Sequence, residues 1–294
     1  MCAGRMSFGG GWTDDKLHRL GEYLKAYVTA LKHKPFELVY IDAFAGTGYR
    51  ELKDESSGGT LFRELAEEEP QGFLDGSARI ACSVDPPFDR YIFIERSASR
   101  AAHLRELRHE MPRLAGRITV DVADCNDYLP GLCTDIDWDR CRAVLFLDPF
   151  GMQVDWSTRE AVARTRAIDV WMLFPLSAVN RLLERTGQIP AERRDKLNRL
   201  FGDEGWHSRF YSEEAVPDLF AGERRVVRKR GSFRAIASYV NERLSSIFAG
   251  VAENPRLLCN STGSPLFLLC FAVANPQPKA LGLALRIASH ILGD

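Results

Sequence analysis

Apolar residues fall into two kinds of pattern along this chain. Near its start Leu17, Leu20, Leu24, Val28 and Leu31 recur at three- and four-residue intervals, the spacing of one face of an α-helix. Thr13 stands where an N-cap belongs, with Asp14 and Asp15 in the first turn, where the helix dipole favours acids. The lysines of this amphipathic helix are expected on its outer face. Beyond Pro35 the apolar residues become continuous: Phe36–Ala43, Tyr91–Glu95, Ile118–Val122, Ala143–Leu147 and Asp169–Phe174. Such runs, without polar alternation, suit strands buried on both faces of a parallel sheet. Helical stretches at Ser97–Met111 and Trp156–Arg166 separate them. Two more runs, Leu257–Asn260 and Pro265–Ala274, are joined by Ser261-Thr262-Gly263-Ser264 and read as an antiparallel hairpin, followed by a helix over Lys279–Leu292.

The alternation predicts an α/β fold, a Rossmann-like doubly wound sheet that is mostly parallel and ends in a C-terminal antiparallel hairpin. Four segments follow: an N-terminal helical segment (1–35), a Rossmann-like cofactor-binding core (36–175), an arginine-rich helical insertion (176–250), and a hairpin and helix completing the sheet (251–294). Within the core, residues 50–88 are irregular and read as an insertion. They hold a loop over 51–59, a short helix over Leu61–Glu68 and a breaker at Asp85-Pro86-Pro87.

Composition narrows the classes of function. With 45% hydrophobic and 27% charged residues over 294 positions, the chain can bury a sizeable core. A net charge of −1 supplies no general attraction for polyanions, so nucleic-acid binding requires a local patch. No apolar run reaches the roughly 18 residues of a membrane span; the longest, Leu266–Ala274, has the length of a strand. The first residues, MCAGRMSFGGG, lack the apolar stretch of a signal peptide. The seven cysteines form no CxxC pair, and Cys125, Cys133 and Cys141 fit no zinc spacing. Reduced thiols and a cytoplasmic location are the expectation, with no metal and no membrane role.

In open α/β sheets ligands sit outside the carboxyl ends of the strands. The first strand ends in Asp42-Ala43-Phe44-Ala45-Gly46-Thr47-Gly48, where small residues let the backbone approach a nucleotide-like ligand closely. Asp42, Phe44, Ala45, Gly46 and Gly48 are the candidate cofactor-binding residues there. Glu95 ends the second strand, where a carboxylate can accept hydrogen bonds from both ribose hydroxyls; the alternative is a cap on the next helix. Asp124, after the third strand, suits an adenine amino group or an Asx-type cap. Asp148-Pro149-Phe150 ends the fourth. It presents acceptors beside an aromatic ring, as a planar amino group awaiting transfer requires, or serves as a capped turn.

Together these strand ends resemble the class I S-adenosylmethionine-dependent methyltransferase fold. The resemblance implies S-adenosylmethionine as cofactor, held by Ile41–Gly48, Glu95 and Asp124, with Asp148, Pro149 and Phe150 as the catalytic motif. The Leu257–Ala274 hairpin is then the terminal antiparallel pair of the sheet. More narrowly, Trp12-Thr13 with Lys16-Leu17, Ile41–Gly46 and Phe146–Gly151 resemble the three-Cys-motif partner protein (TcmP) family, a bacterial group. That family is named for its genomic association with a radical-SAM-like protein carrying three cysteines, so such a protein is the implied partner. The chain departs from base amino-methyltransferases at the fourth motif. They carry Asp/Asn-Pro-Pro-Tyr/Phe, whereas Asp148-Pro149-Phe150-Gly151 lacks the second proline and moves the aromatic ring one position earlier.

The segment Arg224–Arg234 clusters basic residues that suit a nucleic-acid backbone, with Trp206, Phe210 and Tyr211 available for stacking. A solvated helical face paired with acids is the alternative. Three functions remain open: a methyltransferase acting on nucleic acid or another large substrate, an accessory subunit keeping the fold for a partner protein, and a nicotinamide-dependent dehydrogenase. The last ranks lowest, since the first turn departs from GxGxxG and no Tyr-xxx-Lys pair is evident.

Overall fold

The computed structural model describes residues 11–46, 76–149, 151–218 and 222–293. The long first helix α1 covers Gly11–Leu31. The strands that follow are β1 (Glu37–Asp42), β2 (Arg90–Glu95), β3 (Ile118–Val122), β4 (Cys141–Leu147) and β5 (Ile168–Phe174). Between them lie α2 (Gly76–Cys82), α3 (Ala98–Glu110), α4 (Cys125–Asp135) and α5 (Trp156–Arg164). Beyond β5 come α6 (Leu176–Leu182), α7 (Ala191–Phe201), α8 (Gly205–Phe210), the hairpin β6 (Tyr211–Asp218) and β7 (Gly222–Lys229), and α9 (Phe233–Ser245). The chain ends with β8 (Gly250–Val251), β9 (Arg256–Cys259), β10 (Pro265–Val273) and α10 (Pro278–Gly293).

The main sheet runs β3-β2-β1-β4-β5-β10-β8, with β9 also paired to β10. Strands β1 to β5 are parallel and β10 is antiparallel to β5. This order, with its antiparallel insertion at the far end, is the Rossmann-like arrangement of the class I methyltransferase type. Strands β1, β2, β4, β5 and β10 bury both faces. Leu38, Tyr40 and Phe146 pack on the side that receives α1, whereas Val39, Ile41 and Leu145 pack on the other.

Four expectations require correction. Helix α1 starts at Gly11, so Thr13 lies inside it and is buried. Trp12 packs against Phe267, with ring centroids 5.1 Å apart, and draws the first turn onto the core. Its lysines are not all outside, because Lys16 is 5% exposed. The segment 176–250 is not simply helical: residues 211–229 hold a hairpin, so Arg225 and Arg228 lie on a strand. The charged, nearly non-alternating sequence there conceals β-pairing that long-range backbone hydrogen bonds impose. Helix α2 falls inside the stretch read as irregular, and the Leu61–Glu68 helix lies outside the described residues.

Asp169 on β5 is buried beneath α1, where the Tyr23 hydroxyl donates to its carboxylate at 2.7 Å. Burial pushes its pKa up to about 7, against the hydrogen bond from Tyr23 and the nearby Arg142. A raised native pKa stabilises the fold below the unfolded value near 4, and that contribution is lost as pH climbs through about 7. Asp169→Asn keeps an acceptor for Tyr23 and removes the titration. The unfolding free energy of the native protein from urea titrations is expected to fall between pH 5 and 8, with the variant's fall smaller by on the order of 2–4 kcal/mol. Parallel pH profiles would count against a titrating Asp169.

Candidate functional site

The strand order reverses between β1 and β4, the kind of switch point at whose carboxyl ends open α/β sheets carry their ligand crevice. Asp42 closes β1 opposite Phe146 of β4. Past it the chain leans toward β2, since Ala43 N donates to Phe146 O and Ala45 N donates to Ile94 O. That lean carries Gly46 onto Glu95. A Cβ added at Gly46 would lie 3.0 Å from Glu95 Oε2 and 3.0 Å from Arg100 Cβ. Only glycine permits the backbone to come this close to the carboxylate without displacing a neighbour.

Glu95 is 3% exposed at the end of β2. Its Oε1 accepts from the Ser97 amide at 2.7 Å and from the Arg100 guanidinium at 2.7 Å. One oxygen therefore anchors the start of α3, and the other faces the Gly46 turn. The cap-like role weighed for Glu95 from the sequence falls to Oε1. Asp124 is the N-cap of α4, and its Oδ1 accepts from Asn126 N at 2.8 Å. Asn126 then braces the chain beyond β4: its side chain donates to Gln153 O and accepts from Asp155 N and Thr158 Oγ1.

Asp148 follows β4 directly, and its Oδ2 accepts from Lys16 Nζ at 2.7 Å. The lysine reaches across from α1 with its ammonium 4.7 Å from the centre of the Trp12 ring, a cation–π contact. Asp42 lies close enough to be influenced by Asp148's charge. It is fully buried and accepts from the Tyr40 hydroxyl and from Phe44 N, each at 3.2 Å. Burial pushes its pKa up to about 7, hydrogen bonds from Ser77 and Phe44 oppose this, and Asp148 adds to it. Ala45 and Pro149 are buried, and Phe44 is partly buried.

The carboxyl ends of β1, β2 and β4 thus carry Asp42, Gly46, Glu95 and Asp148 as neighbours, with Asp124 capping the helix after the neighbouring edge strand. Gly48 and Phe150 lie outside the described residues. Lys16, Tyr40 and Ser77 were missed from the sequence. For Lys16 a signal existed: Trp12, Lys16, Leu20 and Tyr23 share one face of a helix at i, i+4, i+8 and i+11, and that face is the buried one. The arginines of the hairpin are partly neutralised in place. Arg225 pairs with Glu213, and Arg228 and Arg230 both pair with Glu214.

No protein-family model and no curated relative matches the chain. Solved structures do resemble it. A protein of Legionella pneumophila in the DUF519 family model shares 15% identity over 96% of this chain and 93% of its own, with a TM-score of 0.42. A putative methyltransferase from Escherichia coli shares 11% identity over 71% of this chain and 86% of its own, with a TM-score of 0.29. Magnesium protoporphyrin IX methyltransferase from Synechocystis, solved with bound SAM, shares 11% identity over 78% of this chain and 87% of its own, with a TM-score of 0.30.

Proposed function

We propose that the chain binds S-adenosylmethionine at the carboxyl ends of β1 and β2 and acts as a methyltransferase. The observation that carries this reading is the contact of Gly46 with Glu95: a side-chain-free turn lies against a carboxylate with one oxygen anchored and the other turned toward the turn. Such an oxygen suits a ribose hydroxyl, and the strand order places it beside the switch point. Glu95 and the Gly46 turn would hold the nucleoside, Asp124 would meet the adenine amino group, and Asp148 would face the acceptor. The cofactor supplies an electrophilic methyl group. The protein's part is to place the acceptor in line with it and to accept the proton released.

A kinship with the three-Cys-motif partner proteins is part of the proposal. It is supported by the meeting of Trp12, Lys16 and Asp148 at one point, although they stand far apart in the chain. That kinship would make a radical-SAM-like protein with three cysteines the natural partner. The alternative, an accessory subunit that keeps the fold, is favoured by one observation: the Asp148 carboxylate already carries an amine of its own chain.

Calorimetry with S-adenosylmethionine tests the cofactor reading. Glu95→Ala is expected to weaken binding by about tenfold to a hundredfold, the loss of one or two charge-assisted hydrogen bonds. Gly46→Ala is expected to weaken it similarly, because the added methyl must push Glu95 or Arg100 aside. Absence of binding by the folded native protein would refute the reading.

A further inference from the structure

The Lys16–Asp148 pair is not a surface ornament. Lys16 is 5% exposed, and the ammonium is held on one side by Asp148 and on the other by the Trp12 ring. The helix that carries it is firmly seated, since Leu20, Tyr23, Leu24 and Val28 on the same helix are at most 1% exposed. Arg19, next to the following leucines, donates to Asp15 within α1 and to the Ile291 carbonyl of α10. Lys16 is therefore a resident of the crevice and not part of a detachable lid.

Charge then becomes the deciding quantity. In the proposed site Asp148 is the acid on the acceptor side, and its charge is matched one for one by Lys16. Its second oxygen, Oδ1, has no hydrogen-bond partner among the described residues. The other carboxyl at the switch point, Asp42, is enclosed by Tyr40, Phe44 and Ser77. An acceptor that arrives as a protonated alkyl amine would bring a second positive charge to an acid already neutralised. It would also lack a lone pair until it lost a proton. A neutral N–H or O–H group meets neither obstacle and finds Oδ1 as its acceptor.

We propose that Lys16 is a positioning residue of the acceptor site, holding Asp148 as a neutral ion pair so that the site selects uncharged amino, amide or hydroxyl acceptors over alkylammonium groups. The proposal rests on the cofactor reading above and deepens it by naming the class of acceptor. It separates heteroaromatic amino groups and amides from lysine-like amines.

The test needs no knowledge of the natural acceptor. Two cofactor analogues probe charge at the position of the transferred methyl. S-adenosylhomocysteine carries nothing there, and sinefungin carries a protonated amine. Affinities of both are measured by calorimetry, and the readout is their ratio, which a purely structural role would leave unmoved. Lys16→Met leaves Asp148 unpaired, so the preference for sinefungin over S-adenosylhomocysteine is expected to rise by about tenfold. Lys16→Arg should keep the native ratio, and Lys16→Met with Asp148→Asn should return toward it. If Lys16→Met does not fold, Asp148→Asn alone serves. It leaves Lys16 unopposed and should lower the sinefungin preference by about fivefold or more. An unchanged ratio in these variants, with both ligands still bound, overturns the proposal and leaves the cofactor site standing. Failure of the folded native protein to bind either ligand overturns the cofactor reading and this inference together.

Discussion

Lys16→Met is expected to cost about 2–4 kcal/mol of unfolding free energy at pH 8. Methionine keeps the length of the side chain and its packing on Trp12, so the loss isolates the charge. The pair is largely shielded from water, with side-chain exposures of 6% for Lys16 and 15% for Asp148. Removing one partner leaves Asp148 without a counter-ion beside the fully buried Asp42. Exposed ion pairs are worth about 0–1 kcal/mol, so the size of the loss decides which regime applies. The penalty should shrink at pH 6, where Asp42, its pKa pushed up to about 7 by burial, takes up a proton and the repulsion between the two carboxyls is relieved. Lys16→Met with Asp148→Asn should recover more than half of it, as a double-mutant cycle measures directly. Urea unfolding of the four proteins gives the answer. A single-variant loss under about 0.5 kcal/mol would place the pair with surface ion pairs and remove its claim on the site.

Gly202→Ala is expected to destabilise the protein by about 3–5 kcal/mol, for two reasons that add. Gly202 caps α7 in the left-handed region, with φ +81°, which an L side chain adopts at a cost of roughly 1–2 kcal/mol. A Cβ there would also fall 2.1 Å from Trp156 Cδ1 and 2.3 Å from Trp156 Cγ. The ring cannot step aside freely. Trp156 is 6% exposed, its indole nitrogen donates to Glu160, and the Arg243 guanidinium lies 4.5 Å from its centre. Arg159 and Arg243 also donate to the carbonyls of Leu200 and Phe201 at the end of α7. The clash therefore strikes where the segment beyond β5 is tied to the sheet. Gly263→Ala supplies the comparison, because Gly263 has φ +79° with open space around it and should lose only the conformational part. Thermal unfolding of the two variants, side by side, separates strain from packing. Equal losses would show that the Trp156 contact relaxes without cost.

Lys16 and Asp148 also show why the site was legible only in part. Asp42, Glu95, Asp124 and Asp148 are all polar residues at the ends of apolar runs, and sequence position alone placed them at strand ends. Their partners are another matter. Asp124's bond to Asn126 is local, and a cap was one of the two readings the sequence offered for it. Lys16 is 132 positions from Asp148, and nothing in the local pattern distinguishes it from an exposed lysine such as Lys25 except the face of the helix it occupies. The hairpin at 211–229 was hidden for a related reason. Its strands carry charged residues on both faces, so their pairing leaves no period of two, and the charges that suggested a polyanion-binding surface answer in part to glutamates on the facing strand.

The sequence by itself determined the Rossmann-like order of strands and helices and the antiparallel end of the sheet. Doubly buried strands must be continuously apolar, and the residues that close them must be polar or small. It also singled out the turn at Gly46 and the acids at the strand ends, because those features lie within a few residues of each other or of a strand boundary. Only the tertiary structure decided what each acid does: Glu95 divides its oxygens between Arg100 and the Gly46 turn, Asp42 is sealed in with Tyr40, and Asp148 is neutralised by Lys16. Electrostatics of this kind depends on separations of a few ångströms between groups far apart in the chain, and on the water excluded around them. Neither quantity is written in a local pattern.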